Sequence, residues 1–236
     1  MAHYILVHGA CEGAWSWDNT RIALEQAGHT VTAIDLPGSY GNQQAIPDVT
    51  MARYVETVAD AIIALDHPVI LAGHSMGGAV ISAVAELLPE KIERLVYVAA
   101  FLLKDGDNVL AAMQRDPDGE YLPRLTFAQD QSYATVSEDV VRDIAFHDVA
   151  EKDIRHALPL MAEKQATEPF MARASLSQQR FGSVPKTYIR TTIDKITSPA
   201  LQDEMVANWP VDRIHVLASG HFPALSMPEE LAAVMG

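Results

Sequence analysis

The 236-residue sequence lacks the features that several protein classes require. It has one cysteine, Cys11, so it cannot form an internal disulfide, and a reducing compartment is acceptable. Its 17 lysines and arginines are outnumbered by 31 aspartates and glutamates, which gives a formal net charge of −14. This acidity argues against binding to nucleic acid or to an anionic membrane surface. No stretch approaches the roughly 20 apolar residues of a membrane-spanning helix, and the N-terminus lacks the basic start and long apolar run of a signal peptide. We therefore expect a soluble cytoplasmic protein.

Short apolar runs alternate along the chain with segments of helical periodicity. The predicted strands are HYILVHG, HTVTAIDLPG, PVILAG, IERLVYVAAF, KTYIRTTID and RIHVLAS. The first predicted helix places Trp17, Ile22, Leu24 and Ala27 on one face, and the second begins after Thr50, a good N-cap residue. Continuous apolar strands alternating with helices are typical of a mostly parallel sheet covered on both faces. The sequence therefore predicts an α/β fold with about six such strands.

The alternation stops for about eighty residues in the middle of the chain. Residues 105–183 contain no convincing core strand, but they do contain prolines, charged residues and amphipathic pieces such as SEDVVRDIAFH. We interpret residues 1–104 and 184–236 as one core, and residues 105–183 as a small helical cap inserted over the carboxyl edge of the sheet.

The pentapeptide Gly73-His74-Ser75-Met76-Gly77 lies between a predicted strand and a predicted helix. This is the context in which G-x-S-x-G forms a nucleophile elbow, a sharp turn that exposes the serine at the tip of the sheet. The backbone N–H of Met76 can then point at an oxygen beside Ser75. A second donor is predicted after the first strand, where Gly9 permits a tight turn and the N–H of Ala10 can face Ser75.

A serine hydroxyl needs a base, and the sequence offers nine histidines. His221 is the candidate, because the chain order of this arrangement places the histidine after the last strand. Asp194, at the end of the strand KTYIRTTID, is the preferred carboxylate to orient it. Asp105 or Asp107, which follow the fourth strand, is the rival choice.

Other reactive side chains receive simpler interpretations. Cys11 is a competing candidate for the nucleophile, but no motif supports it, so we interpret it as a small buried thiol. His74 is interpreted as structural. The histidines lack metal-ligand spacings such as HExxH, and we expect neither a metal nor another cofactor.

Together, these motifs resemble the α/β-hydrolase superfamily, over nearly the whole chain. The segments LVHGACEGAWSW, GHSMGG, RFGSVPKTYI and SGHFPALSMPEELA are similar to the branch of plant methyl esterases, salicylate-binding esterases and hydroxynitrile lyases, with their bacterial esterase relatives. The resemblance implies a Ser75–Asp194–His221 triad, oxyanion donors at Ala10 and Met76, and a small helical cap over an apolar pocket. It also strengthens Asp194 over Asp105.

Two positions distinguish the activities within that branch. The lyases of the family carry threonine where this sequence has Gly9, and lysine where it has Phe222. Without that lysine, no cation is available to stabilise cyanide, so we expect hydrolysis rather than cyanohydrin cleavage. The plant esterases usually have methionine at the position of Phe222, so a narrower pocket is expected here.

The sequence therefore predicts a serine carboxylesterase that cleaves small hydrophobic carboxylic esters through an acyl-enzyme. A lactonase, an amidase, a hydroxynitrile lyase or a cofactor-free cyclase on the same triad, and a non-catalytic small-ligand receptor, are the alternatives. The predicted partner is a small hydrophobic ester, and a homodimer is left open. The predicted substrate-pocket residues are Gly9, Phe222, Phe127, Tyr133 and Met161; further apolar candidates in the cap are Tyr121, Phe146, Leu158, Phe170 and Met171.

Overall fold

The computed structural model describes all 236 residues and contains a central parallel sheet. The strands are β1 (His3–Val7), β2 (Thr30–Ile34), β3 (Val69–His74), β4 (Ile92–Val98), β5 (Thr126–Phe127), β6 (Tyr133–Thr135), β7 (Gln165–Ala166), β8 (Lys186–Thr191) and β9 (Arg213–Leu217). Six of them form the sheet in the order β2-β1-β3-β4-β8-β9, and every neighbouring pair is parallel. All six strands predicted from sequence are present, and the predicted fold class is confirmed.

Helices connect the strands and cover the sheet. The α-helices are α1 (Asp18–Gln26), α2 (Met51–Ile63), α3 (Gly77–Leu87), α4 (Val109–Arg115), α5 (Glu138–Val140), α6 (Glu151–Ala157), α7 (Glu168–Met171), α8 (Pro199–Val206), α9 (Pro223–Ser226) and α10 (Pro228–Met235). Short 3₁₀ turns lie at Ala14–Trp17, Ile46–Asp48, Pro89–Lys91, Leu122–Arg124, Leu158–Leu160 and Phe181–Ser183, and Val141–Ala145 forms a π-helical turn after α5. Thr50 caps α2 as predicted, because its side-chain oxygen accepts the Arg53 N–H.

The sheet separates two apolar cores, because successive side chains of a strand point to opposite faces. In β1, Ile5 and Val7 belong to the core that also contains residues of α2, α3 and α8, whereas Tyr4 and Leu6 belong to the core with residues of α1 and α10 on the other face. The expectation that Ile22 shares the buried face of α1 is wrong: Ile22 is 44% exposed, and Leu24 makes the buried contact. No helix is both long and apolar enough to cross a membrane.

Residues 105–183 run between β4 and β8 and include α4 to α7. They also include a three-stranded antiparallel sheet, in the order β5-β6-β7, that has no counterpart among the elements predicted from the sequence. The cap has a small core around Val140, Ile144 and Phe146, and this core packs on Ile196 and Phe222 of the main body. The cap therefore rests directly on the loop that carries His221. The chosen cap boundaries stay a prediction.

Candidate active site

The elbow places Ser75 in a strained conformation between β3 and α3. Its φ is +52°, in the left-handed region that side chains rarely occupy. The turn is tight: a Cβ on Gly73 would lie 2.6 Å from the Gly77 carbonyl oxygen, and one on Gly77 would lie 2.7 Å from that of Val7. Only glycine fits at either position, as the G-x-S-x-G motif requires. Ser75 is consequently held at the carboxyl end of the sheet.

The turn is also pinned by main-chain hydrogen bonds. The Ser75 N–H donates to the Val98 carbonyl at the end of β4, and the Ser75 carbonyl accepts the N–H groups of Gly78 and Phe101 at 3.0 Å. These bonds fix the backbone on both sides of the hydroxyl. The hydroxyl therefore projects from a rigid support and not from a mobile loop.

His221 and Asp194 meet although 27 positions separate them in the chain. His221 Nδ1 lies 2.8 Å from Asp194 Oδ2, and both side chains are almost completely buried. This contact leaves Nε2 as the ring nitrogen without a protein partner. His221 and Ser75 line the same cavity. The structure thus brings together the predicted nucleophile, base and carboxylate at one edge of the sheet.

The rival carboxylates are engaged elsewhere. Asp107 forms an ion pair with Arg115, whose Nη2 lies 2.7 Å from its Oδ2, and Asp105 accepts the Leu176 N–H at 2.9 Å. Neither side chain contacts His221. Asp194 is the only carboxylate that hydrogen-bonds to His221.

The two main-chain N–H groups predicted as oxyanion donors lie near Ser75. The N–H groups of Ala10 and Met76 donate to no acceptor within the protein. Ala10 lines the cavity of Ser75, and Met76 follows Ser75 at the start of α3. A Cβ on Gly9 would lie 2.8 Å from Ser75 Cβ, so Gly9 allows this loop to approach the nucleophile. Free N–H groups in such a position suit a developing oxyanion.

The cap holds the same loop in place through its next residue, Cys11. The Cys11 N–H donates to Gln165 Oε1 at 2.8 Å, and its carbonyl accepts the Ala162 N–H at 2.9 Å. Burial and the nearby Glu12 carboxylate raise the pKa of the Cys11 thiol to about 12. The thiol therefore stays protonated at neutral pH, which argues against Cys11 as the nucleophile.

The cavity beside Ser75 is mainly apolar. Besides Ser75, His221 and Glu12, its lining consists of Ala10, Phe101, Met113, Tyr121, Ala145, Met161, Phe170, Ile196 and Phe222. Met113, Tyr121 and Phe170 also line an adjoining apolar cavity that continues under the cap. A cavity of this character suits an apolar ligand with one reactive polar group.

The predicted pocket residues fall at different places. Phe222 and Met161 line the cavity of Ser75, and Gly9 lies against Ser75 itself. Phe127 lines the adjoining cavity and is 42% exposed. Tyr133 lines neither of the two cavities and lies under the Lys164 ammonium, 4.7 Å from its ring centre. The prediction of Tyr133 as a pocket residue is therefore not supported by its position.

Two acidic residues near the site were not predicted from the sequence. Glu12 lines the cavity and hydrogen-bonds to His74, so the lone acid in the apolar segment VHGACEGAW was the available signal. Asp148 of the cap accepts the Gly220 N–H at 2.7 Å and the Ser219 hydroxyl at 3.0 Å, and so holds the loop before His221. No local pattern in the sequence marks Asp148. No group of three or more His, Cys, Asp or Glu side chains is arranged to hold a metal ion.

This chain belongs to the alpha/beta hydrolase family, whose model matches residues 4–234. Among its relatives is the putative chloroplastic methylesterase 11 of Arabidopsis thaliana, which is 32% identical over 243 residues. The match covers 97% of this chain and 62% of that protein, so the chain spans less than two thirds of that relative's length. Methylesterase 2 of the same plant is 32% identical over 247 residues, covering 98% of this chain and 93% of the relative. Among solved structures, a pyrethroid hydrolase from Sphingobium faniae superposes with a TM-score of 0.88 at 27% identity, covering 99% of this chain and 95% of that one. The resemblance to plant methyl esterases is therefore confirmed.

Proposed function

We propose that this protein is a serine carboxylesterase that cleaves small hydrophobic carboxylic esters through an acyl-enzyme. The observation that carries the proposal is the contact of His221 Nδ1 with Asp194. The His221 side chain lines the same cavity as Ser75, and Ser75 lies on a strained turn. The similarity to proteins named as methylesterases and a pyrethroid hydrolase supports ester cleavage. The apolar lining supports a hydrophobic substrate.

In the proposed first step, Ser75 Oγ attacks the ester carbonyl carbon and His221 Nε2 takes the hydroxyl proton. The carbonyl oxygen becomes an oxyanion that accepts the N–H groups of Ala10 and Met76. Asp194 holds Nδ1 protonated and stabilises the imidazolium. The carbon–oxygen bond to the alcohol then breaks, and His221 returns the proton to the leaving alcohol.

In the second step, water attacks the acyl-enzyme while His221 Nε2 takes a proton from it. The bond between the acyl carbon and Ser75 Oγ breaks, the serine recovers its proton, and the carboxylic acid leaves. Each proton moves through His221, so the cycle needs no other acid or base.

Replacement of the nucleophile tests the proposal. Ser75→Ala is expected to abolish labelling by a fluorophosphonate probe and to lower p-nitrophenyl ester turnover by several orders of magnitude, roughly 10⁴-fold or more. Ser132→Ala, at a half-buried serine of the cap whose hydroxyl donates to Asp130, is the matched control and should behave like the wild type.

A substrate panel separates the proposed activity from its alternatives. The wild type should hydrolyse simple aryl and methyl esters faster than lactones, anilides or mandelonitrile. Near-normal ester turnover by Ser75→Ala would refute the assignment of the nucleophile. If the probe labels Ser75 but no ester is hydrolysed, the serine is an activated nucleophile and the proposed esterase activity is refuted.

A further inference from the structure

A second buried carboxylate–imidazole pair lies beside the proposed catalytic histidine. His74 Nδ1 is 2.8 Å from Glu12 Oε1, and the two side chains are 3% and 1% exposed. The other ring nitrogen, His74 Nε2, is 2.7 Å from the main-chain carbonyl oxygen of His221. The ring centres of His74 and His221 are 4.8 Å apart. None of the proposed catalytic steps uses Glu12 or His74.

The two partners of His74 determine where its protons are. A carbonyl oxygen can only accept a hydrogen bond, so His74 Nε2 must carry a proton. An ionised Glu12 also only accepts, so Nδ1 must carry a proton as well. A His74 ring that donates to both partners is an imidazolium, and the pair is then ionic.

The electrostatics favour this ionic form of the pair. Burial opposes charge on either side chain, yet the attraction and hydrogen bond between them prevail. The pKa of His74 is raised above its usual value, and that of Glu12 is lowered. Asp194 adds a further attraction to the His74 cation, and His8 and Ser16 also help to lower the pKa of Glu12.

The nearby His8 contrasts with His74. The Leu36 N–H donates to His8 Nε2 at 3.0 Å, so that nitrogen has no proton, and Nδ1 donates to the Gly9 carbonyl at 2.8 Å. His8 is therefore neutral, and burial lowers its pKa accordingly. The sheet edge thus holds one charged and one neutral buried imidazole, each specified by its partners. Around His74, the rings of Trp17 and Phe222 complete the contacts and carry no charge.

We propose that Glu12 and His74 are positioning residues: Glu12 keeps both His74 nitrogens protonated, and His74 holds the main chain of His221. The inference rests on the proposed function, because it concerns the geometry of the same reaction. Glu12 lies two residues after Ala10, and His74 directly precedes Ser75. The pair consequently ties together the three segments that bear the oxyanion donor, the nucleophile and the base. His221 is then fixed from its main chain as well as by Asp194 at its ring.

Two substitutions of Glu12 separate a positioning role from a general structural one. In Glu12→Gln, the amide can donate to Nδ1, which leaves the proton on Nε2 and preserves its bond to the His221 carbonyl. In Glu12→Ala, the His221 carbonyl still favours a proton on Nε2, but the ring has no partner at Nδ1 and can turn in the space that the side chain leaves. We expect Glu12→Ala to lower kcat by roughly 10 to 100-fold with KM within about threefold of the wild type. Glu12→Gln should recover most of the loss. Glu163→Ala, at an exposed acid of the cap, is the charge-matched control and should leave kcat unchanged.

The protonation of His74 can be measured without any turnover. In a ¹⁵N-labelled Ser75→Ala protein at about pH 7, His74 should show two exchange-protected ring N–H protons, and Glu12→Gln in the same background should show one. A single ring proton on His74 in the Ser75→Ala protein would overturn the proposal, and so would a Glu12→Ala enzyme with kcat within about twofold of the wild type. If Glu12→Ala does not fold, the ring-proton count and the Glu12→Gln kinetics still decide. Failure of ester turnover in the wild type would refute the proposed function, which the ring-proton count does not depend on.

Discussion

The Asp194 carboxylate is saturated with hydrogen bonds, which explains how a buried negative charge is kept beside His221. One oxygen accepts the main-chain N–H groups of Ile196 and Thr197, at 2.8 and 2.9 Å. The other accepts the Thr191 hydroxyl at 3.0 Å and faces His221 Nδ1 at 2.8 Å. Buried charge persists only with such partners. The carboxylate therefore has one fixed orientation in which it can hold the imidazole.

Asp194→Asn keeps the size of the side chain and removes its charge. The amide can present an N–H toward His221, which favours the wrong tautomer of the ring and no longer stabilises the imidazolium. We expect kcat for a p-nitrophenyl ester to fall by roughly 10³ to 10⁴-fold near neutral pH. Asp107→Asn is the control, because it removes the rival carboxylate and its ion pair with Arg115. It should lower stability while leaving kcat/KM within about twofold of the wild type. The reverse ranking of the two variants would transfer the orienting role to Asp107.

The short strand β7 of the cap supports the loop that bears Ala10. Its Gln165 side chain accepts the Cys11 N–H at 2.8 Å and lies 3.3 Å from the Tyr54 hydroxyl of α2. The cap, the loop that bears Ala10 and helix α2 therefore meet at the side-chain amide of Gln165. A loss of this side chain leaves the buried Cys11 N–H without an acceptor, which costs about 1 to 3 kcal/mol.

Gln165→Ala is therefore expected to lower kcat through a less well-positioned Ala10 N–H. The fall should be about tenfold, which is less than the roughly 10² to 10³-fold that follows removal of an oxyanion donor. KM for a small ester should change little, because Gln165 does not line the cavity of Ser75. Gln179→Ala, at an exposed position, is the control. A Gln165→Ala enzyme with unchanged kcat would show that the loop keeps its geometry without the cap.

The elements that the sequence revealed are those whose periodicity is imposed by burial. The inner strands β1 and β3 are apolar runs because both faces of a parallel sheet are covered there. The edge strands β2 and β9 were also predicted, although only the last residue of each is buried. The strands β5 to β7 are two or three residues long, too short to show an alternation, so they were missed. On α1, Ile22 fits the apolar stripe by spacing alone, but the neighbouring helix α10 packs around Leu24 and leaves Ile22 exposed.

Some residues of the site could be predicted from the local sequence, whereas others depend on contacts between distant parts of the chain. Ser75, Asp194 and His221 follow strand ends, so their meeting at one edge could be expected from the chain order. Glu12 and Asp148 act through contacts with residues 62 and 72 positions away, which no short motif encodes. Tyr133 was expected in the pocket because it is aromatic and lies in the cap, but the register of β6 places it beneath Lys164. Side-chain direction on short cap elements is a tertiary property.

The whole molecule carries a net charge of −14, with a sequence pI near 4.9, and this excess must act on its stability. Like charges repel more strongly in the compact state than in the unfolded chain, so the repulsion lowers the free energy of unfolding near neutral pH. Its ion pairs at the surface, such as Arg21–Glu25 and Arg53–Glu56, involve few of the carboxylates. The fully buried Glu12–His74 pair is shielded from salt.

Added salt should therefore stabilise the protein near neutral pH. Raising sodium chloride from about 0.01 M to about 0.15 M shortens the screening length from roughly 30 Å to roughly 8 Å, which reduces repulsion across the whole surface. We expect the Tm measured by circular dichroism to rise by at least about 2 °C, or roughly 0.5 to 1 kcal/mol for a chain of this size. Potassium chloride at the same ionic strength should give the same shift, since screening does not depend on the cation. Near pH 4.9, where repulsion and attraction balance, the shift should vanish or reverse. A Tm that falls with salt at neutral pH would show that attractive ion pairs outweigh the net repulsion.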